Sequence, residues 1–134
     1  MNTQGQLEQD NKSIDQTHTE WAAAIRNADI LTLISLITED AEFWTHGAPA
    51  ITGRHAALAL FKTFFESYSL EQRFESEERI IAGDWAFERG IEINIVTPRN
   101  GGASINRDQR AFTILHRDDD GRWRYARGMT NLES

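Results

Sequence analysis

Cysteine is absent from this 134-residue chain, which removes disulfides, thiolate zinc sites and a cysteine nucleophile together. Any chemistry must come from histidine, carboxylates, hydroxyls or arginine. Also missing is any run near the roughly 18 consecutive apolar residues that a membrane span needs. The opening Met1-Asn2-Thr3-Gln4-Gly5 has neither the basic start nor the apolar centre of a secretion signal. The expectation is a cytoplasmic protein with no membrane partner. Basic charge is scarce, with 14 Lys and Arg against 21 Asp and Glu and a net charge of −7. That balance argues against nucleic acid, whose phosphates need a basic surface. Arg122, Arg124 and Arg127 cluster beside Asp118-Asp119-Asp120 and read as solvated strand surface. The four histidines match no metal spacing, so no metal and no cofactor are expected.

What is present has the size of one domain, able to bury roughly two thirds of its unfolded surface. Residues 1–12 are polar apart from Leu7 and read as a frayed tail, leaving 13–134 as the domain. Ser13-Ile14-Asp15-Gln16 reads as a capping box, and Ile14, His18, Trp21 and Ile25 then share one helix face. Asp29 caps a second, shorter helix with Ile30, Leu33, Ile34 and Ile37 inward. Residues 40–45 read as a short strand, and His46-Gly47-Ala48-Pro49 as a loop. Gly53 opens a third helix whose stripe, Ala57, Leu60, Phe61, Phe64, Phe65 and Tyr68, is the heaviest aromatic investment in the chain and the expected centre of the core.

Beyond that point the period becomes two. Residues 73–82 form a charged strand. Residues 85–96 alternate, with Trp85, Phe87, Ile91, Ile93 and Ile95 on the face expected to meet the helices and Ala86, Glu88, Gly90, Glu92 and Asn94 on the other. An Asn100-Gly101 hairpin leads to a strand over 105–117, and the Asp-Asp-Asp-Gly turn to the last strand over 123–131. Helices first and antiparallel strands after predict an α+β fold with helices packed on one face of the sheet. The mixed far face could meet water or a second copy.

Several segments carry a family resemblance in this order: Trp21-Ala22-Ala23-Ala24 to Asn27-Ala28-Asp29, Thr38 to Phe43, Ile51 to Ala56, Gly83 to Gly90, and Arg110-Ala111-Phe112 to Arg124. Together they resemble the SnoaL-like and ketosteroid-isomerase-like branch of the nuclear transport factor 2-like superfamily, over nearly everything after Ser13. The resemblance implies a cone-shaped, strongly curved antiparallel sheet wrapped on N-terminal helices, a cystatin-like α+β roll. It also implies a pocket at the wide end and homodimerisation through the sheet. Members include isomerases, dehydratases, cyclases, epoxide hydrolases and proteins without chemistry, so the fold does not transfer an activity.

Ketosteroid isomerases use a Tyr, an Asp base and a protonated Asp. Matching by order places Trp21, Thr45 and Arg110 at those positions, none of which can fill the role. The epoxide-hydrolase pattern would draw on Arg110 and Asp108. By parity Arg110 points inward with Phe112 and Ile114, where it needs an anion, either Asp108 or Glu88 or a ligand carboxylate. Of the histidines, His46 at the pocket mouth and His18 on the first helix are the candidate bases; His55 and His116 read as surface. Trp21, Phe43, Thr45, Phe64, Trp85, Arg110 and Phe112 are the expected lining of an apolar pocket for a small, possibly anionic, organic molecule. The alternative is a non-catalytic module that recognises a protein with its sheet face or cone rim, in which case Trp21, Phe64 and Phe112 would fill the cavity.

Overall fold

The computed structural model describes residues 3–132. Three helices, α1 (Gln4–Arg26), α2 (Ile30–Ser35) and α3 (Arg54–Ser67), pack against one curved, unclosed six-stranded sheet. Its strands are β1 (Ile37–Trp44), β2 (Ile51–Thr52), β3 (Tyr68–Ala82), β4 (Trp85–Pro98), β5 (Ile105–Arg117) and β6 (Trp123–Asn131), in the spatial order β2-β1-β6-β5-β4-β3. The long strands β3 to β6 form the expected antiparallel meander. One pairing departs from it, because β1 lies parallel to β6, with Phe43 opposite Gly128. After β2 and α3 the chain crosses to the far edge of the sheet at β3, and the meander runs back until β6 meets β1, so the parallel neighbours are distant in sequence. No helix among the described residues is long and apolar enough to cross a membrane.

The first helix begins earlier than expected. Thr3, not Ser13, is the N-cap, its hydroxyl accepting from Gln6 N–H at 3.0 Å. Residues 4–12 are therefore helical rather than a frayed tail. What docks them is charge: Asp10 is buried, accepting from Arg117 at 2.8 Å and from the Trp123 indole at 3.3 Å. A hydropathy reading cannot see an anchor whose partner lies on β5. Further along α1, Ile14 and Ile25 are fully buried, worth about 1.5–3 kcal/mol each on transfer from water. Asp29 caps α2 as expected, accepting from Thr32 N–H. Ile37, however, is the first residue of β1 rather than part of that helix. Gly53 precedes α3 with φ +86°, a conformation that favours glycine.

The core sits beneath α1, where Ile14, Ile37, Ala41, Leu115 and Trp123 meet. The aromatic stripe of α3 is only partly committed to it. Ala57 and Phe65 are buried, but Phe61 and Phe64 are half-exposed and Tyr68 starts β3 instead of ending the helix.

The alternation along β4 is real, and its faces are reversed from the expectation. Ala86, Glu88, Gly90 and Asn94 are the buried set, while Trp85 is 50% and Ile95 39% exposed and Phe87, Ile91 and Ile93 are half-buried on the outer face. Cross-strand pairing carries the same parity onto β5, placing Ala111, Thr113 and Leu115 inward and Arg110, Phe112 and Ile114 outward. Two features decide the side. Glu88 finds its ion-pair partners only on the helix side, and Gly90 lies under a bulge in β3 between Ser76 and Glu78, where a Cβ would come within 2.1 Å of the Glu75 carbonyl oxygen. The bulged strand brings the Phe74 ring over Gly90, a contact that a side chain at 90 would block.

Candidate functional site

A hollow of about 530 Å3 opens between α1, α3 and the inner face of the sheet. Its walls are mainly apolar, with rings contributed by Trp21 from α1, Phe61 and Phe64 from α3, Phe43 from β1 and Phe74 from β3. Trp21 stands edge-on to both Phe61 and Tyr125, with centroids 5.8 and 5.1 Å apart, which fixes its plane against the cavity. Phe43 reaches the wall because its parallel partner on β6 is Gly128; a Cβ there would come within 2.8 Å of the Phe43 ring.

Two polar chains run along this apolar wall. In the first, Glu88 is fully buried and accepts from His18 Nε2 at 2.6 Å and from Arg79 Nε and Nη2 at 3.0 and 2.9 Å. Arg79 is in turn held by Asp15 at 2.7 Å and by Asn11. Burial pushes the Glu88 carboxyl up, yet the His18, Ser76 and Arg79 contacts outweigh it and leave the group below the ordinary carboxylate range. An ionised carboxylate only accepts, so His18 Nε2 carries a proton and Nδ1 faces the Tyr125 hydroxyl at 2.5 Å. Tyr125 keeps its proton, because burial, then the Glu88 and Glu92 charges, raise its ionisation well above the usual phenol value.

In the second chain the Trp21 indole N–H donates to Gln72 Oε1 at 2.6 Å, Gln72 Nε2 to Asn94 Oδ1 at 2.9 Å, and Asn94 Nδ2 to Glu92 Oε1 at 3.0 Å. An indole can only donate, so it forces the orientation of both amides and delivers a donor to Glu92. Glu92 lines the hollow, and burial raises its pKa despite the Asn94 bond. A carboxyl raised by desolvation at a cavity wall is suited to bind or exchange a proton.

With these contacts in place, the family model described as a SnoaL-like domain matches residues 18–126, from the cavity histidine to the residue after Tyr125 on β6. The chain belongs to the SnoaL-like family. Solved structures agree with the family fold. A conserved protein from Planctomyces limnophilus is 29% identical, with 94% of this chain and 99% of that one covered at a TM-score of 0.85. A ketosteroid isomerase-like protein from Erwinia carotovora is 24% identical over 92% and 95% of the two chains, TM-score 0.79. A nuclear transport factor 2-like superfamily protein from Salmonella enterica, 12% identical over 92% and 90%, reaches 0.80. The last two share the fold alone. No curated protein matches this chain in sequence.

In this SnoaL-like domain the expected site residues divide. His18, Trp21, Phe43, Thr45 and Phe64 lie at the hollow, as does Phe112, although its strand parity turns the ring to the outer face and against Phe87. Trp85 and Arg110 are elsewhere. Trp85 lies against His116 on the outer face, the ring centroids 4.4 Å apart and the planes tilted by 49°. Arg110 is exposed and bonds Asn131 Oδ1 at 2.8 Å, so neither Asp108, Glu88 nor a cavity ligand is its partner. The epoxide-hydrolase arrangement of Asp108 and Arg110 therefore does not form at the cavity. His46 is exposed on its loop, tied by its backbone N–H to Thr130, and does not line the hollow. Tyr125, Gln72, Glu92 and Asn94 were missed. For Glu92 and Asn94 the signal that could have found them is the placement of a carboxylate and an amide at alternating positions among the apolar residues of β4; no such local signal marks Gln72 on the charged β3 or Tyr125 on β6. Among the described residues no cluster of His, Asp or Glu could hold a metal.

Proposed function

We propose that this protein binds a small, mainly apolar organic molecule in the hollow beside Trp21, with Glu92 and the Tyr125–His18 pair as its polar contacts. One observation carries the reading: the space between helices and sheet is open at about 530 Å3 and walled by rings, where a purely structural module would have filled it with those same side chains. The residues contacting the ligand are then Trp21, Phe43, Thr45, Phe64 and the backbone of Phe112, with His18 behind Tyr125. Any proton transfer runs through Glu92 or Tyr125, since the exposed His46 does not reach the cavity. The working form is a homodimer paired through the outer sheet face, supported by the exposed Ile80, Trp85, Phe112 and Met129 there. The setting is the cytoplasm.

The test is a thermal-shift screen of neutral aromatic and terpenoid compounds against the native protein and Ala22→Phe, which places a ring in the hollow from α1. The expected result is a set of stabilising compounds whose effect disappears in the variant. Stabilisation that survives the filled cavity would put the binding site elsewhere.

A further inference from the structure

We propose that the ligand is an organic amine, its ammonium group paired with Glu92 and its hydrocarbon body lying against Trp21, Phe61 and Phe64. This rests on the cavity reading above and adds the chemical class.

Two carboxylates belong to the inner face of β4, and they are treated differently. Glu88 is matched by the Arg79 guanidinium and by His18. Glu92 has no cationic partner among the described residues; its one bond is the Asn94 amide on Oε1. The arginine nearest in strand register, Arg73 beside Phe74, also borders the hollow, but its side chain is 71% exposed and set toward Glu75 at 3.9 Å. A carboxylate at an apolar wall without a counter-charge is costly, and a ligand that brings the cation removes that cost.

The hydrogen-bond direction favours the same class. Since the indole of Trp21 dictates the polarity of the Gln72 and Asn94 amides, Glu92 is presented as an acceptor already holding one donor. An ammonium supplies the next donor, charge-assisted. The surrounding rings are the surface that attracts a cation by its face, and the net charge of −7 draws cations toward the protein. Of the ionisable groups on this side of the sheet, Glu88 shares the strand, His18 lies on α1 and Tyr125 on β6, Arg79 on β3 is spent on Glu88 and Asp15, and Arg73 borders the hollow from β3 with its side chain set toward Glu75.

Titration calorimetry with three probes of matched shape, naphthylethylamine, naphthylethanol and naphthylacetate, separates the possibilities. At neutral pH the amine is expected to bind roughly tenfold or more tightly than the alcohol. Glu92→Gln should erase that preference, bringing the amine down to the level of the alcohol in the same variant, and Glu92→Asp should retain it. Lowering the pH should weaken amine binding as Glu92 takes up its proton, with the alcohol unaffected, which tests the pair in the native protein should Glu92→Gln fold poorly. Equal binding of amine and alcohol would overturn the amine class and leave the cavity reading standing. Tightest binding of naphthylacetate would overturn it in favour of an anion. Absence of binding by all three would remove both.

Discussion

The two faces of the sheet are built on opposite rules. The inner face of β4 carries Ala86, Glu88, Gly90, Glu92 and Asn94, and the outer face Trp85, Phe87, Ile91, Ile93 and Ile95. By hydropathy the outer set should be inside. It is not, because small and bonded residues are what the helix layer can accept: Gly90 makes room for the bulged β3, and Glu88, Asn94 and Glu92 have partners waiting on α1, β3 and one another. The lesson is that period two identifies a pair of faces, and packing decides which is buried.

The strongest way to break the contrast is to unpair the inner face. Glu88→Ala leaves Arg79 and His18 without their carboxylate, and should lower the unfolding free energy by about 3–5 kcal/mol in a urea titration. Gly90→Ala sets a methyl against the Glu75 backbone; a loss of about 1–3 kcal/mol is expected, with the β3 bulge shifting, seen in the same titration and in amide-proton spectra.

Glu92 gives the sign test. Its folded pKa is raised above the ordinary 4.5, so the native state holds the proton longer than the unfolded chain. The stability tied to that proton is full below the unfolded value and is lost as pH rises through the folded one. Glu92→Gln should therefore gain on the native protein as pH climbs from acid to neutral, and a flat difference in melting temperature across that range would contradict the assignment. Glu88 has the opposite sign, its contribution present above the unfolded pKa and falling away as acid protonates it through its lower folded pKa.

On the outer face, if the proposed dimer forms, Phe112→Glu should shift it to a monomer in analytical ultracentrifugation while leaving the far-ultraviolet spectrum unchanged, because its ring is half in water already; a native protein that sediments as a monomer at every concentration would overturn the dimer. The smallest effect belongs to Arg110→Ala. An exposed side chain bonded, among the described residues, only to Asn131 and Leu132 should change stability by about 0.5 kcal/mol or less and leave ligand-induced stabilisation intact.

Much of the architecture was legible in the chain. The Asp29 cap, the Gly53 helix start and the Asn100-Gly101 turn are local signals, and the long strands follow from period two over many residues. Trp21 and His18 were legible at the site because a helix stripe states which residues share a side. The start of α1 was hidden, since Asp10 is anchored by Arg117 and Trp123 across more than a hundred residues. Arg110 was misplaced for the same reason as the β4 face: parity was right and its sign was not.

Sequence alone determined the order of helices and strands, the two faces of each strand and the absence of thiol chemistry. Only the tertiary structure decided which face closes over the helices, that Glu92 lines the hollow without an ion pair among the described residues, and that Tyr125, His18 and Glu88 meet. Those outcomes depend on side chains distant along the chain satisfying one another's charge and hydrogen bonds, and no local pattern records the partner.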